Sequence, residues 1–257
     1  MPLETRALGQ TNIEVSCLGL GTVKFGRNKE VKYPCGFSLP SDQEIAKLLD
    51  LASSLGINLL DTAPAYGSSE QRIGRLLGNR QDWVICTKVG EEFLNGKSFF
   101  DFSAAHVKYS IERSLRNLHT DYLDIALIHS NGNDLQVLES TDVLESLMAL
   151  KQEGLIRAIG MSTKTVAGGK KALELTDIVM VTYNPSSTED AGVIDLAAES
   201  NKGVLIKKAL NSGHDCVDAD KNAARNLKFA LDYRGVSSVI VGTINPAHLK
   251  SNVSAVA

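Results

Sequence analysis

The 257-residue sequence predicts an α/β protein, a (β/α)₈ TIM barrel with an N-terminal β-hairpin, and three observations carry that expectation. Eight short β-branched or apolar runs recur along the chain, at residues 17–21, 56–61, 83–88, 123–129, 156–161, 177–183, 203–207 and 237–242. Each is followed by a stretch of helical period: Ser41–Ser54, Ser69–Leu77, Ser103–Leu118, Asp142–Glu153, Thr165–Leu175, Glu189–Ser200, Asp218–Tyr233 and a last one from Pro246. The runs are almost wholly apolar, as Tyr122 to Ile128 shows with Asp124 as its exception, which is the pattern of parallel strands buried on both faces. The rival architecture, a doubly wound open sheet, lacks its mark. Gly19-Leu20-Gly21 is followed by Thr22-Val23-Lys24, so no third glycine opens a helix. No linker divides the chain, and residues 1–257 are expected to form a single barrel domain.

In chain order, Arg6 to Val15 carries Leu8-Gly9 and Thr11-Asn12 turn signals and predicts a small hairpin that plugs one end of the barrel. Arg27 to Pro40 is the one long irregular segment, and it leaves the first strand at the catalytic end. Ser41 followed by Glu44 predicts a capping box, and Ser103, Asp142 and Asp218 are placed as N-caps. Gly56, Gly78 and Gly154 suit helix ends that need a left-handed residue. Ile45, Leu48, Leu49 and Leu55 form the apolar stripe of the first helix, opposite Gln43, Lys47 and Asp50.

Composition narrows the function. Hydrophobic residues make up 43% and charged residues 22%, ordinary for a soluble globule. No apolar run approaches the roughly 20 residues that span a bilayer. Glu4 and Arg6 interrupt the start, so a cytoplasmic protein without a signal segment is expected. A net charge of -3 with thinly spread Lys and Arg points away from nucleic acid and toward a small-molecule partner. Cys17, Cys35, Cys86 and Cys216 are scattered without a CxxC pair, and His214-Asp215-Cys216 has no second ligand pair, so neither disulfide nor metal is predicted.

Three of the strand-like runs end in chemically useful residues: Ile57–Leu60 runs into Asp61, Trp83–Thr87 into Lys88 and Tyr122–Ile128 into His129, while Tyr66 follows Asp61 by five positions. In a parallel barrel such ends meet at one mouth. An ammonium about 4 Å from a phenol, at an effective dielectric of about 20, favours phenolate by about 4 kcal/mol, enough to bring its pKa from about 10 to about 7. Tyr66 would then give a proton to a carbonyl oxygen as a hydride reaches the carbon, with Lys88 as the cation. Asp61 would hold Lys88 charged, and His129 would donate a hydrogen bond to the carbonyl. Singly, a buried Asp–Lys pair, a histidine at a strand end or a packing tyrosine is more often structural; four such groups on three successive strand ends favour a site.

These residues resemble the aldo-keto reductases, barrel oxidoreductases that use a nicotinamide dinucleotide. The resemblance runs essentially from end to end. It includes Leu18-Gly19-Leu20-Gly21-Thr22, Asp61 to Gly67, Thr87-Lys88, Leu127-Ile128-His129, Gly154-Leu155-Ile156-Arg157 leading to Gly160-Met161-Ser162, and Val241-Gly242-Thr243. It implies that Asp61, Tyr66, Lys88 and His129 are the catalytic tetrad, with Tyr66 the proton donor. It also implies a cofactor across the mouth, with Thr22 and Val23 near its centre, Asp61 beside it and Ser162 near the nicotinamide amide. Thr163 and Met180 stand where many members have Asn and Gln, and Lys207 aligns with an aromatic that commonly stacks on nicotinamide.

Lys207 and Lys208, with Leu210 and Ser212 beyond them, offer contacts to pyrophosphate or ribose. Gly242, Thr243, His248 and Asn252 fall at the adenosine half, His248 where Arg is frequent. Family habit favours NADP(H) over NAD(H). The chain stops at Ala257, which implies an open mouth bordered by Arg27–Pro40, Glu91–Phe102 and His129–Asp134. Phe93, Phe99 and Phe100 there are either an apolar substrate wall or helix-packing aromatics. The expected activity is reduction of an aldehyde or ketone to an alcohol. An NAD-linked sugar or polyol dehydrogenase and a non-catalytic dinucleotide-binding regulator are the alternatives, the last disfavoured by a complete tetrad.

Overall fold

Eight parallel strands close into a barrel: β1 (Leu18–Gly21), β2 (Leu59–Asp61), β3 (Val84–Val89), β4 (Leu123–His129), β5 (Ile156–Ser162), β6 (Ile178–Thr182), β7 (Gly203–Lys207) and β8 (Ser238–Val241). Each pairs with the next in sequence, and β8 returns to β1 through Val239 opposite Leu18. This computed structural model describes residues 3–34, 36–216 and 220–257. Cys35 and the cap expected at Asp218 lie outside the described residues, as do the side chains of His214 and Cys216. The strands agree with the expected runs to within one to three residues at each end; the largest difference is at β2, where the run predicted from residue 56 becomes a strand at Leu59.

Helices follow the strands: α1 (Asp42–Ser54), α2 (Ser69–Leu76), α3 (Ala104–Leu118), α4 (Val143–Gln152), α5 (Val166–Leu175), α6 (Ala191–Glu199), α7 (Asp220–Leu231) and α8 (Pro246–Ser254). The capping box forms as the sequence predicts, Ser41 accepting from the Glu44 backbone while Glu44 accepts from that of Ser41. Ser103 accepts from the His106 N–H, but Asp142 makes no side-chain cap to α4. Ile45, Leu48 and Leu49 are buried together with Ala52, while Leu55 is only half-buried. Gly56 and Gly154 are left-handed, at φ +85° and +81°; Gly78 is not, because α2 ends on an extended Leu77 instead. Short helices at Val23–Gly26 and Asp134–Ser140 and a β-hairpin, Glu91–Leu94 with Lys97–Phe100, decorate the mouth and were not expected from the pattern.

Alternation along each strand explains both the hydrophobic runs and the placement of polar residues. Leu59, Cys86, Ile125, Leu127, Ala158, Met180 and Leu205 point into the barrel, while Leu60, Ile85, Ala126, Ile128, Ile159, Val179 and Ile206 pack against the helices. The N-terminal hairpin, Thr5–Ala7 paired with Glu14–Ser16, adds Leu8, Ile13 and Val15 to the inner cluster and so closes the floor. Arg6 fastens it by donating to the carbonyls of Leu231 and Val236. Asp124, the polar exception on β4, faces outward and is buried. It accepts from Arg80 at 2.7 Å, Arg157 at 2.6 Å and the Ile85 N–H at 2.9 Å, tying three neighbouring strands together.

Candidate active site

With the inner face occupied by every second residue, the last inward position of five strands falls at the open rim, and these positions are Asp61, Lys88, His129, Ser162 and Lys207. Each lines one cavity of about 770 Å³. Tyr66 joins them from the 3₁₀ turn Pro64–Tyr66, which follows β2 directly. Gly67 lets the chain turn away after it: its φ is +63°, and a Cβ there would sit 2.2 Å from the Gly26 carbonyl oxygen.

Lys88 is almost wholly buried. Its Nζ lies 2.5 Å from Asp61 Oδ1, donates to the Thr62 carbonyl at 2.8 Å, and stands 4.8 Å from the Tyr66 ring centroid. Burial alone would lower the Lys88 pKa, but Asp61, Tyr66 and Cys86 outweigh it and hold the ammonium well above the usual lysine range. The Tyr66 and His129 rings meet edge to face, with centroids 6.3 Å apart.

The phenol departs from expectation. Desolvation raises the Tyr66 pKa, Lys88 lowers it by less, and Asp61 and Tyr33 add to the rise, so the group lies above, not below, its ordinary value. One neighbouring cation does not offset the cost of removing phenolate from water. Burial likewise pushes the His129 imidazole well below the usual histidine value, helped by Lys88, Lys207, Lys164 and Arg27. The imidazole is therefore neutral around pH 7.

Thr22, Val23, Ser162, Thr163, Met180, Lys207, Lys208, Leu210, Ser212, Gly242, Thr243, His248 and Asn252 line the same cavity, which runs from Tyr66 across the mouth to α8. The residues fit a dinucleotide. Thr163 Oγ1 is buried without a hydrogen-bond partner, as a carboxamide contact would require, and several amines line the cavity between Tyr66 and Asn252. Lys207 Nζ donates to Ser162 Oγ at 2.8 Å and to the Thr163 carbonyl at 2.6 Å. Burial, with Lys208 and Lys88 nearby, brings its pKa down to about 7.

Between about pH 7 and its ordinary 10.5, the unfolded chain holds a proton on Lys207 that the folded chain has released. Stability should therefore rise with pH across that window through this group. Lys207→Met should show a flatter trend in urea midpoints measured from pH 7 to 9; an unchanged slope would contradict this assignment.

Sequence reasoning did not single out Lys24, Lys32, Tyr33, Glu91 or Lys164, which also line the cavity. Tyr33 comes from the Arg27–Pro40 segment and lies over Gly242, with its hydroxyl pushed up to about 12 by burial and by Asp61. A tyrosine and lysines on an irregular segment carry no periodic signal, so only the fold reveals their placement. Of the expected border, Phe93 lies under the Arg27 guanidinium at 3.7 Å, Phe99 and Phe100 are exposed, and none of the three faces the cavity. Neither the apolar wall nor helix packing describes them. Among the described residues, no group of three or more His, Cys, Asp or Glu side chains is arranged to hold a metal ion, and no helix is long and apolar enough to cross a membrane.

Known proteins share this fold. A crystal structure of a Pseudomonas aeruginosa protein, provisionally assigned to the aldo-keto reductases, superposes with a TM-score of 0.90 at 53% identity, covering 98% of this chain and 94% of the other. The holo form of an aldo-keto reductase from Bacillus halodurans superposes with a TM-score of 0.83 at 27% identity, covering 99% and 91%. L-galactose dehydrogenase from Arabidopsis thaliana is 30% identical over 99% of this chain and 88% of its own length. The model of the Aldo/keto reductase family matches residues 17–214, and with the closed barrel and the convergent strand ends this shows that the chain belongs to that family of oxidoreductases.

Proposed function

We propose that the protein, as a single barrel unit over residues 1–257, reduces a small aldehyde or ketone to the alcohol in the cytoplasm, using NADP(H) in preference to NAD(H), with Tyr66 as proton donor. The observation that carries this reading is the sharing of one cavity wall by Tyr66, His129 and the Lys88–Asp61 pair. When bound, the dinucleotide supplies a hydride to the carbonyl carbon. As that hydride would form the new C–H bond and the carbonyl π pair would move to oxygen, Tyr66 Oη would give that oxygen its proton.

An alkoxide is a stronger base than a phenolate, so the raised pKa of Tyr66 keeps the donor loaded without blocking transfer. Lys88 then faces the phenolate, and Asp61 keeps the ammonium in place. Ser162, Thr163 and Met180 would hold the nicotinamide half, Thr22 and Val23 would lie near the centre, and Lys207, Lys208, Leu210 and Ser212 would take the pyrophosphate. Gly242, Thr243, His248 and Asn252 would take the adenosine half. Lys32 and Lys208 on the cavity wall favour a ligand with more phosphate charge, which supports NADP(H).

Loss of nicotinamide absorbance should be seen with NADPH, and more slowly with NADH, against a panel of aldehydes, ketones and sugars. Equal or tighter binding of NADH would overturn the cofactor preference. Cofactor binding with no turnover across the panel would replace the enzyme reading by a regulatory one. The likeness to L-galactose dehydrogenase favours a second reading, oxidation of a sugar. That reading requires faster turnover of sugars with NAD(P)+ than of any carbonyl with NAD(P)H.

A further inference from the structure

Glu91 opens the unexpected hairpin at the mouth and places its carboxylate against the tetrad histidine. Its Oε2 lies 3.0 Å from His129 Nδ1. The other oxygen, Oε1, accepts from Ser98 Oγ at 2.6 Å and sits 3.5 Å from Arg27 Nη1. Arg27 is itself pinned: it donates to the Ala65 carbonyl at 3.1 Å and the Glu30 carbonyl at 2.9 Å, and stacks on Phe93. The carboxylate is thus held from one side with its free oxygen directed at the imidazole.

We propose that Glu91 is a positioning residue that keeps the hydrogen of His129 on Nδ1, so that Nε2 offers a lone pair to the substrate and the site selects carbonyl compounds bearing a hydroxyl on the adjacent carbon. This rests on the carbonyl-reduction reading above. A carboxylate oxygen and an unprotonated ring nitrogen facing each other at 3.0 Å would repel through their lone pairs, and among the described residues Nδ1, sealed from water, has no hydrogen-bond partner. The contact is not aligned as a hydrogen bond as the ring stands; what favours the hydrogen on Nδ1 is the 3.0 Å approach of the carboxylate oxygen itself.

The neutral ring carries one hydrogen, and with that hydrogen on Nδ1 the cavity edge is an acceptor. The sequence-based role of His129 as a donor to the carbonyl is then reversed. Tyr66 presents a donor and His129 an acceptor, side by side. A carbonyl oxygen satisfies the first and a neighbouring hydroxyl satisfies the second. A simple aldehyde leaves the Nε2 lone pair unpaired in a desolvated place, the situation in which sites built to bond a hydroxyl reject analogues lacking it.

The test compares kcat/KM for glyceraldehyde and propanal with NADPH, and records the ¹⁵N spectrum of the histidines, His129 being identified by its loss in His129→Asn. In the unmodified protein glyceraldehyde should be favoured by at least about tenfold, and Nδ1 should be the protonated nitrogen. Glu91→Gln keeps an oxygen that accepts from Nδ1–H and should retain both results. Glu91→Leu should bring the two aldehydes to within about threefold and shift protonation toward Nε2. An Nε2-protonated ring in the unmodified protein, or an aldehyde preference unchanged by Glu91→Leu, overturns the proposal. If neither aldehyde is reduced, the carbonyl-reduction reading fails together with the substrate preference, while the spectrum still judges the tautomer by itself.

Discussion

Tyr66→Phe should reduce carbonyl turnover by about 10²–10⁴-fold while leaving dinucleotide affinity nearly unchanged. The substitution removes one oxygen and keeps the ring that meets His129 edge to face. What disappears is the phenol that faces Lys88 and meets His129, and with it the proton that ends the reaction. Because the Tyr66 pKa lies above its ordinary value, the hydroxyl stays protonated across the neutral range. The rate of reduction in the unmodified protein should therefore show no loss between pH 6 and 9 attributable to this group. Fluorescence titration with NADPH and turnover of one good substrate, run on both proteins, separate binding from chemistry. Turnover within a few fold of the unmodified protein would remove Tyr66 from its role.

Lys88→Met should cost about 3–5 kcal/mol of stability, because it strands the Asp61 carboxylate at the barrel rim. Both partners are nearly sealed, Lys88 at 1% exposure and Asp61 at 5%, so water replaces the ammonium poorly. The Thr62 carbonyl loses its donor in the same change. Urea unfolding should show a lower midpoint with an unchanged slope. Replacing Asp61 by Asn in the same chain removes the stranded charge, so the double variant should regain stability over Lys88→Met while staying inactive. A double variant as unstable as Lys88→Met would mean that lost packing, not the stranded charge, sets the cost.

Much of this was legible before any coordinates because a parallel barrel is strongly periodic. Strands buried on both faces read as apolar runs, and a polar residue closing such a run marks the rim, as Asp61, Lys88 and His129 do. Motif resemblance supplied the cavity residues from Thr22 to Asn252 that no period could identify. Tyr33, Glu91 and Arg27 were not legible, since they reach the site from an irregular loop and a short hairpin whose paths are set by tertiary contacts. The direction of the Tyr66 pKa is not legible for a related reason: the Lys88 charge is visible in sequence, whereas the desolvation that opposes it depends on how tightly the mouth folds around it.

The two-residue alternation on β4 has a consequence for how such a protein can vary. Deleting a single residue between Leu123 and Ile128 would rotate everything after it by half a turn about the strand axis, sending the imidazole out among the helices and an aliphatic side chain into the mouth. Loops such as 27–40 can lengthen or shrink without that penalty. Descendants of this chain are thus free to change what they admit, provided the parity of each stave is kept.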